Sequence, residues 1–141
     1  MPIRVFVYGT LKNGHGNHRL LATSKFLGRS YIEGRYKMLS LGGFPGLVAS
    51  QSLPEAHIVG EVYQVSEDVF QALDYLEGHP RFYERMKVPT QYKNAWAYFL
   101  PEAYLERNYV DAGVCWHPVQ AEIEWMAGAP ESPVADNGGA L

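Results

Sequence analysis

Turn-forming residues set the grain of this chain. Its apolar runs are short, rich in β-branched and aromatic residues, and mostly cut by glycine, proline or asparagine before they reach helical length. IRVFVY (3–8), IVGEVYQV (58–65), RMKVPTQY (85–92) and AWAYFL (95–100) read as strands. YIEGRYKML (31–39) and SLGGFPGLVAS (40–50) read as glycine-punctuated extended pieces, and Lys93-Asn94 as a tight turn between the last two strands. Short strands with few helices exclude alternating βαβ units. The expected fold is mixed α/β (α+β): a small, curved or barrel-like sheet with a few short helices.

Helical signals are sparse. NHRLL (17–21) is short, whereas VFQALDYLE (69–77) is fully signposted. Ser66 supplies the N-cap, Glu67 and Asp68 place acids where the helix dipole favours them, Gly78 stops the helix and Pro80 lies just beyond. At about 100° per residue, Val69, Phe70, Leu73 and Leu76 form one apolar stripe. Glu77 projects from that same stripe, Asp74 sits at its edge, and Gln71 and Tyr75 face away.

A carboxylate aimed at a core must be paired or stand at the wall of a cavity, where desolvation raises its pKa and suits it to act as a base. The competing reading is that the helix has frayed by Glu77, which then turns to solvent or pairs with Arg81 or Arg85. Spacing alone favours the frayed end. A second unusual stretch opens the chain: in FVYGTLKNGHGNH (6–18) a strand stops abruptly in a polar, glycine-dotted loop. Its lysine and glycine spacings fit neither a Walker A nor a dinucleotide fingerprint. Tyr83 stands as a pocket-lining residue or an ordinary core aromatic, with the second favoured.

Composition narrows the function classes. At 141 residues, with 47% hydrophobic and 19% charged, the chain fits one globular domain. Residues 1–126 form the expected domain, and AGAPESPVADNGGAL (127–141) reads as a disordered tail. A net charge of −3 with scattered basic residues gives nucleic acid no electrostatic footprint, and no apolar run approaches a membrane span. One cysteine, Cys115, excludes an internal disulfide, and the first residues lack a signal peptide's character, so a cytoplasmic protein is expected. Cys115 reads as a small core thiol. The five histidines (15, 18, 57, 79 and 117) form no metal-binding pattern and read as surface residues. Oligomeric state is not encoded in any of these features.

Taken in order, VYGTLK with NHRLL, GGFPGLV, GEVYQV and LDYLEGHPRFYER resemble the γ-glutamylcyclotransferase-like superfamily, with a weaker echo in YVDAGVCW. Within it, the resemblance is strongest to the γ-glutamylamine cyclotransferase branch. The resemblance implies cyclisation of a γ-glutamyl amine to 5-oxoproline with release of the free amine, and no metal or organic cofactor. It maps the family's glutamyl-binding turn onto Tyr8, Gly9, Thr10 and Leu11, its catalytic glutamate onto Glu77, and a following aromatic onto Tyr83. Loops 12–16, 40–47 and 79–83 then form the leaving-amine side. The implied partner is a small γ-glutamyl molecule. Rival readings are a non-catalytic binding module for an amino-acid conjugate, a γ-glutamyl transferase of the same fold, and a structural protein with a closed pocket.

Overall fold

The computed structural model describes residues 2–9, 18–41, 44–106, 114–117 and 122–124, with side chains through residue 106. Among these residues eight strands make one sheet: β1 (Ile3–Val7), β2 (Lys25–Ser40), β3 (Pro45–Ala49), β4 (Glu55–Val65), β5 (Glu84–Thr90), β6 (Lys93–Phe99), β7 (Val114–His117) and β8 (Glu122–Glu124). One α-helix, α1 (Glu67–Glu77), and 3₁₀ turns at His18–Leu21 and Glu102–Glu106 complete the described elements. None of the described helices is long and apolar enough to cross a membrane. The expected α+β class with a curved sheet is what forms. The segment 127–141 lies outside the described residues, as does the side chain of Cys115.

Strand pairing closes the sheet on itself. β4 pairs antiparallel with β1, β1 parallel with β6, β6 parallel with β3, β3 antiparallel with β2, and β2 antiparallel with β4. β5 adds to β6, and β8 then β7 extend from β4. A strand has only two edges, so β1 and β3 must share the edge of β6 that β5 leaves free. They meet it at Trp96 and Phe99 respectively. Closure needs tight approaches. At Gly60 a Cβ would stand 2.4 Å from the Val7 carbonyl oxygen and 2.7 Å from the Phe6 ring, so the glycine of GEVYQV lets the end of β1 lie close against β4.

The β5–β6 hairpin departs from expectation. Its two-residue loop is Gln91-Tyr92, and Lys93-Asn94 already belong to β6, with Thr90 paired to Lys93. Thr90 fixes this register: its hydroxyl accepts the Tyr92 N–H at 2.9 Å and donates to the Lys93 carbonyl at 2.6 Å. Residues 45–47, expected in a loop, are buried in β3.

Helix α1 begins and ends where its signals place it. The Ser66 side chain accepts the Val69 N–H, and Gly78 adopts a left-handed conformation (φ 66°, ψ 32°). The His79 N–H reaches the Asp74 carbonyl at 3.0 Å and the Gly78 N–H reaches that of Tyr75 at 3.1 Å, a Schellman closure. Phe70 and Leu73 are buried, whereas Tyr75 is 90% exposed. The helix rests on the β5–β6 hairpin through Phe70, whose ring lies 5.9 Å from that of Trp96, with the Arg85 guanidinium 4.5 Å from the Phe70 centroid.

Candidate active site

Glu77 does not fray. The Schellman closure fixes its backbone as the last helical residue, so its side chain keeps the direction that the apolar stripe prescribes. It is 0% exposed, and neither carboxyl oxygen has a hydrogen-bond partner among the described residues. The expected solvent-facing or ion-paired glutamate is therefore corrected. Arg81 is exposed, and Arg85 is engaged elsewhere, donating to Asp74 Oδ2 at 2.7 Å. Burial pushes the Glu77 carboxyl well above the usual range.

Two of the other expected residues, Tyr8 and Tyr83, are buried within reach of its charge. Tyr8 follows the end of β1 and is fully buried; its hydroxyl donates to the Tyr98 carbonyl at 2.7 Å and accepts the Leu47 N–H at 3.0 Å. Where β1 and β3 meet β6, this one oxygen bridges two backbone groups of neighbouring strands. Tyr83, also buried, donates to the Pro45 carbonyl at 2.8 Å. Burial raises the pKa of both hydroxyls well above the tyrosine range, and the Glu77 charge adds to each shift. Both phenols therefore stay neutral, and their O–H groups point at backbone carbonyls rather than at Glu77. Gly9 is buried next to Tyr8, while Thr10 and Leu11 lie outside the described residues.

The motif pieces thus converge for a physical reason. FPGL supplies the backbone on which the tyrosines of YGTL and RFYER anchor, and LDYLEG delivers a buried carboxyl whose charge acts on both. Sequence reasoning left out Tyr98 and Asp74. The Tyr98 hydroxyl donates to Asp74 Oδ1 at 2.5 Å, and burial, then this hydrogen bond, push the phenol above its usual range. Asp74 at the edge of the apolar stripe was the available signal, since an acid there needs a partner.

His18, His57 and His79 are half-buried and each has a partner, while His15 and the side chain of His117 lie outside the described residues. His57 stacks on Tyr31 with centroids 5.1 Å apart, His79 accepts the Arg85 N–H on Nδ1, and His18 meets the Tyr63 ring at 5.7 Å. No group of three His, Cys, Asp or Glu side chains able to hold a metal ion occurs among the described residues.

The arrangement is that of a closed β-barrel with a helix delivering a buried carboxyl to it. The family described as "Gamma-glutamyl cyclotransferase, AIG2-like" matches residues 5–118, and the chain belongs to that family. It is 39% identical over 111 residues to a Vibrio cholerae protein described as a "putative gamma-glutamylcyclotransferase", covering 77% of this chain and 91% of that one. A Methanocaldococcus jannaschii protein so described is 41% identical over 105 residues, covering 70% of this chain and 85% of its own length. Among solved structures, an AIG2-like protein from Mus musculus superposes with a TM-score of 0.66 at 23% identity, over 89% of this chain and 97% of that one, a likeness of fold.

Proposed function

We propose that this protein is a cofactor-free cyclotransferase that converts a γ-glutamyl amine to 5-oxoproline and the free amine, with Glu77 as general acid and base. The observation that carries this reading is a fully buried carboxyl with no hydrogen-bond partner among the described residues, whose charge acts on two buried phenols committed to backbone carbonyls. Family membership supports the reaction class.

The chemistry needs little more. The substrate's own α-amino nitrogen attacks its γ-carbonyl carbon, the bond from that carbon to the departing amine breaks, and no water is consumed. The amino group arrives protonated, so a base must take one proton before attack. Glu77 as carboxylate accepts it; the attacking nitrogen sheds a second proton as it becomes the lactam N–H, and the leaving nitrogen takes up both to depart as an ammonium, with Glu77 as the relay. Ring closure is intramolecular, and holding the reacting atoms about 3–3.5 Å apart supplies much of the acceleration. In this reading backbone N–H groups of the turn at Tyr8, Gly9, Thr10 and Leu11 hold the substrate α-carboxylate. Tyr8 and Tyr83 wall the pocket as neutral groups that leave Glu77 the proton carrier. By resemblance to the γ-glutamylamine branch, γ-glutamyl-ε-lysine is the first substrate to try.

The test is a panel of γ-glutamyl amines and γ-glutamyl amino acids incubated with purified protein, with product identified by mass spectrometry. Release of 5-oxoproline is expected, and its loss in Glu77→Gln assigns the proton carrier. Binding without turnover identifies the binding module, and transfer to an added amine without 5-oxoproline identifies the transferase.

A further inference from the structure

We propose that Tyr98 is a strut that fixes the distance between the helix carrying Glu77 and the turn at Tyr8, and that Asp74 and Arg85 are positioning residues acting through it. The inference rests on the reading of Glu77 as acid and base.

Tyr98 touches both halves of the site, by different atoms. Its side-chain hydroxyl holds Asp74 Oδ1 on α1, three residues before Glu77, at 2.5 Å. Its main-chain carbonyl holds the Tyr8 hydroxyl at 2.7 Å, one residue before Gly9. Asp74 is itself aimed. Its second oxygen takes Arg85 Nη1 at 2.7 Å, and the Arg85 guanidinium is clasped by Phe70 at 4.5 Å and Trp96 at 5.0 Å. Arg85 and Tyr98 share one sheet face as a cross-strand pair of β5 and β6, and Asp74 reaches both from α1. A carboxylate on the helix is thus locked to the barrel wall at two points, half-shielded from water, where charge-assisted bonds are strong. Hydrophobic packing at Phe70 and Leu73 would bury the helix without defining its sliding position along β6. Directional bonds from Asp74 define that position, and with it the place of Glu77.

Different substitutions cut different bonds. Tyr98→Phe removes the hydroxyl bond to Asp74 and keeps the carbonyl bond to Tyr8. Asp74→Asn keeps an acceptor for Tyr98 and loses the Arg85 arm. We expect kcat for 5-oxoproline release to fall about tenfold or more in Tyr98→Phe, with KM nearly unchanged because the glutamyl-binding turn is intact. Asp74→Asn should lose less. Tyr98→Phe combined with Asp74→Ala should lose no more than Asp74→Ala alone, since both cut the same bond. A kcat for Tyr98→Phe within about twofold of native, or losses that add in the double variant, overturns the strut.

A readout independent of turnover is the titration midpoint of Glu77, followed by NMR on protein labelled with ¹³C-glutamate and assigned with Glu77→Gln. In Tyr98→Phe the loosened helix admits water, and the midpoint should move down toward that of an ordinary glutamate. A role confined to stability lowers the melting temperature and leaves the midpoint in place, and that result also overturns the strut. If native protein releases no 5-oxoproline from any γ-glutamyl amine, the proposed function fails, and the midpoint alone decides whether Tyr98 positions Glu77.

Discussion

Tyr8 and Leu47, 39 residues apart, are joined through a single phenolic oxygen that accepts the Leu47 N–H at 3.0 Å while donating to the Tyr98 carbonyl. An aromatic side chain thereby does the work of a missing strand-to-strand hydrogen bond. Tyr8→Phe keeps the ring and strands both backbone groups in a dry interior. Each unsatisfied group costs about 1–3 kcal/mol. The variant should be destabilised by roughly 2–6 kcal/mol in denaturant unfolding. A loss below about 0.5 kcal/mol would show that other groups take over both bonds.

Glu77 makes folding proton-linked. Its folded-state pKa lies above the ordinary value of 4.5, so the folded protein binds the proton more tightly than the unfolded chain. This contribution is fully present below the unfolded value and is lost as pH rises through the folded one. Glu77→Gln removes that dependence. The Glu77→Gln variant should melt higher than native at alkaline pH, with the difference shrinking as pH falls toward 4.5, measured by thermal unfolding across pH. A difference that grows on acidification contradicts a carboxyl held neutral by burial.

Turnover should follow the same titration in the opposite sense. A protonated Glu77 cannot take the substrate's ammonium proton, so kcat/KM should rise with pH through the carboxyl's raised value. The acid limb should have its midpoint well above 4.5. Removing the base should lower kcat about 10²–10⁴-fold, read at the native optimum in Glu77→Gln. An acid limb at the ordinary glutamate value would exclude Glu77 as the group observed.

Gly78 adopts φ 66°, and a Cβ there would also meet the Phe82 Cβ at 3.2 Å. Gly78→Ala should therefore cost about 1–2 kcal/mol in unfolding experiments. Because Glu77 is the adjacent residue, kcat should fall alongside stability. A variant as stable and as active as native would mean that the Schellman closure does not hold the carboxyl.

Local chemistry alone announced the helix. Ser66 and Gly78 bracket it because a hydroxyl at one end and a missing Cβ at the other answer the orphan groups of any helix, whatever surrounds it. The same periodicity put Glu77 on the Phe70–Leu73 face, and the short, glycine-cut strands pointed to a curved sheet. Where the chain's reading failed, the deciding contact was distant. The ion pair offered to Glu77 was lost because Arg85 finds Asp74 instead, and the segment 45–47 became a strand because β2 and β6 were there to flank it. Periodicity tells which face a side chain occupies; tertiary contacts alone decide what meets that face. Tyr98, 90 residues from Tyr8, acquired its place only when the barrel closed, since a carbonyl in one strand and a hydroxyl at the end of another share no local pattern.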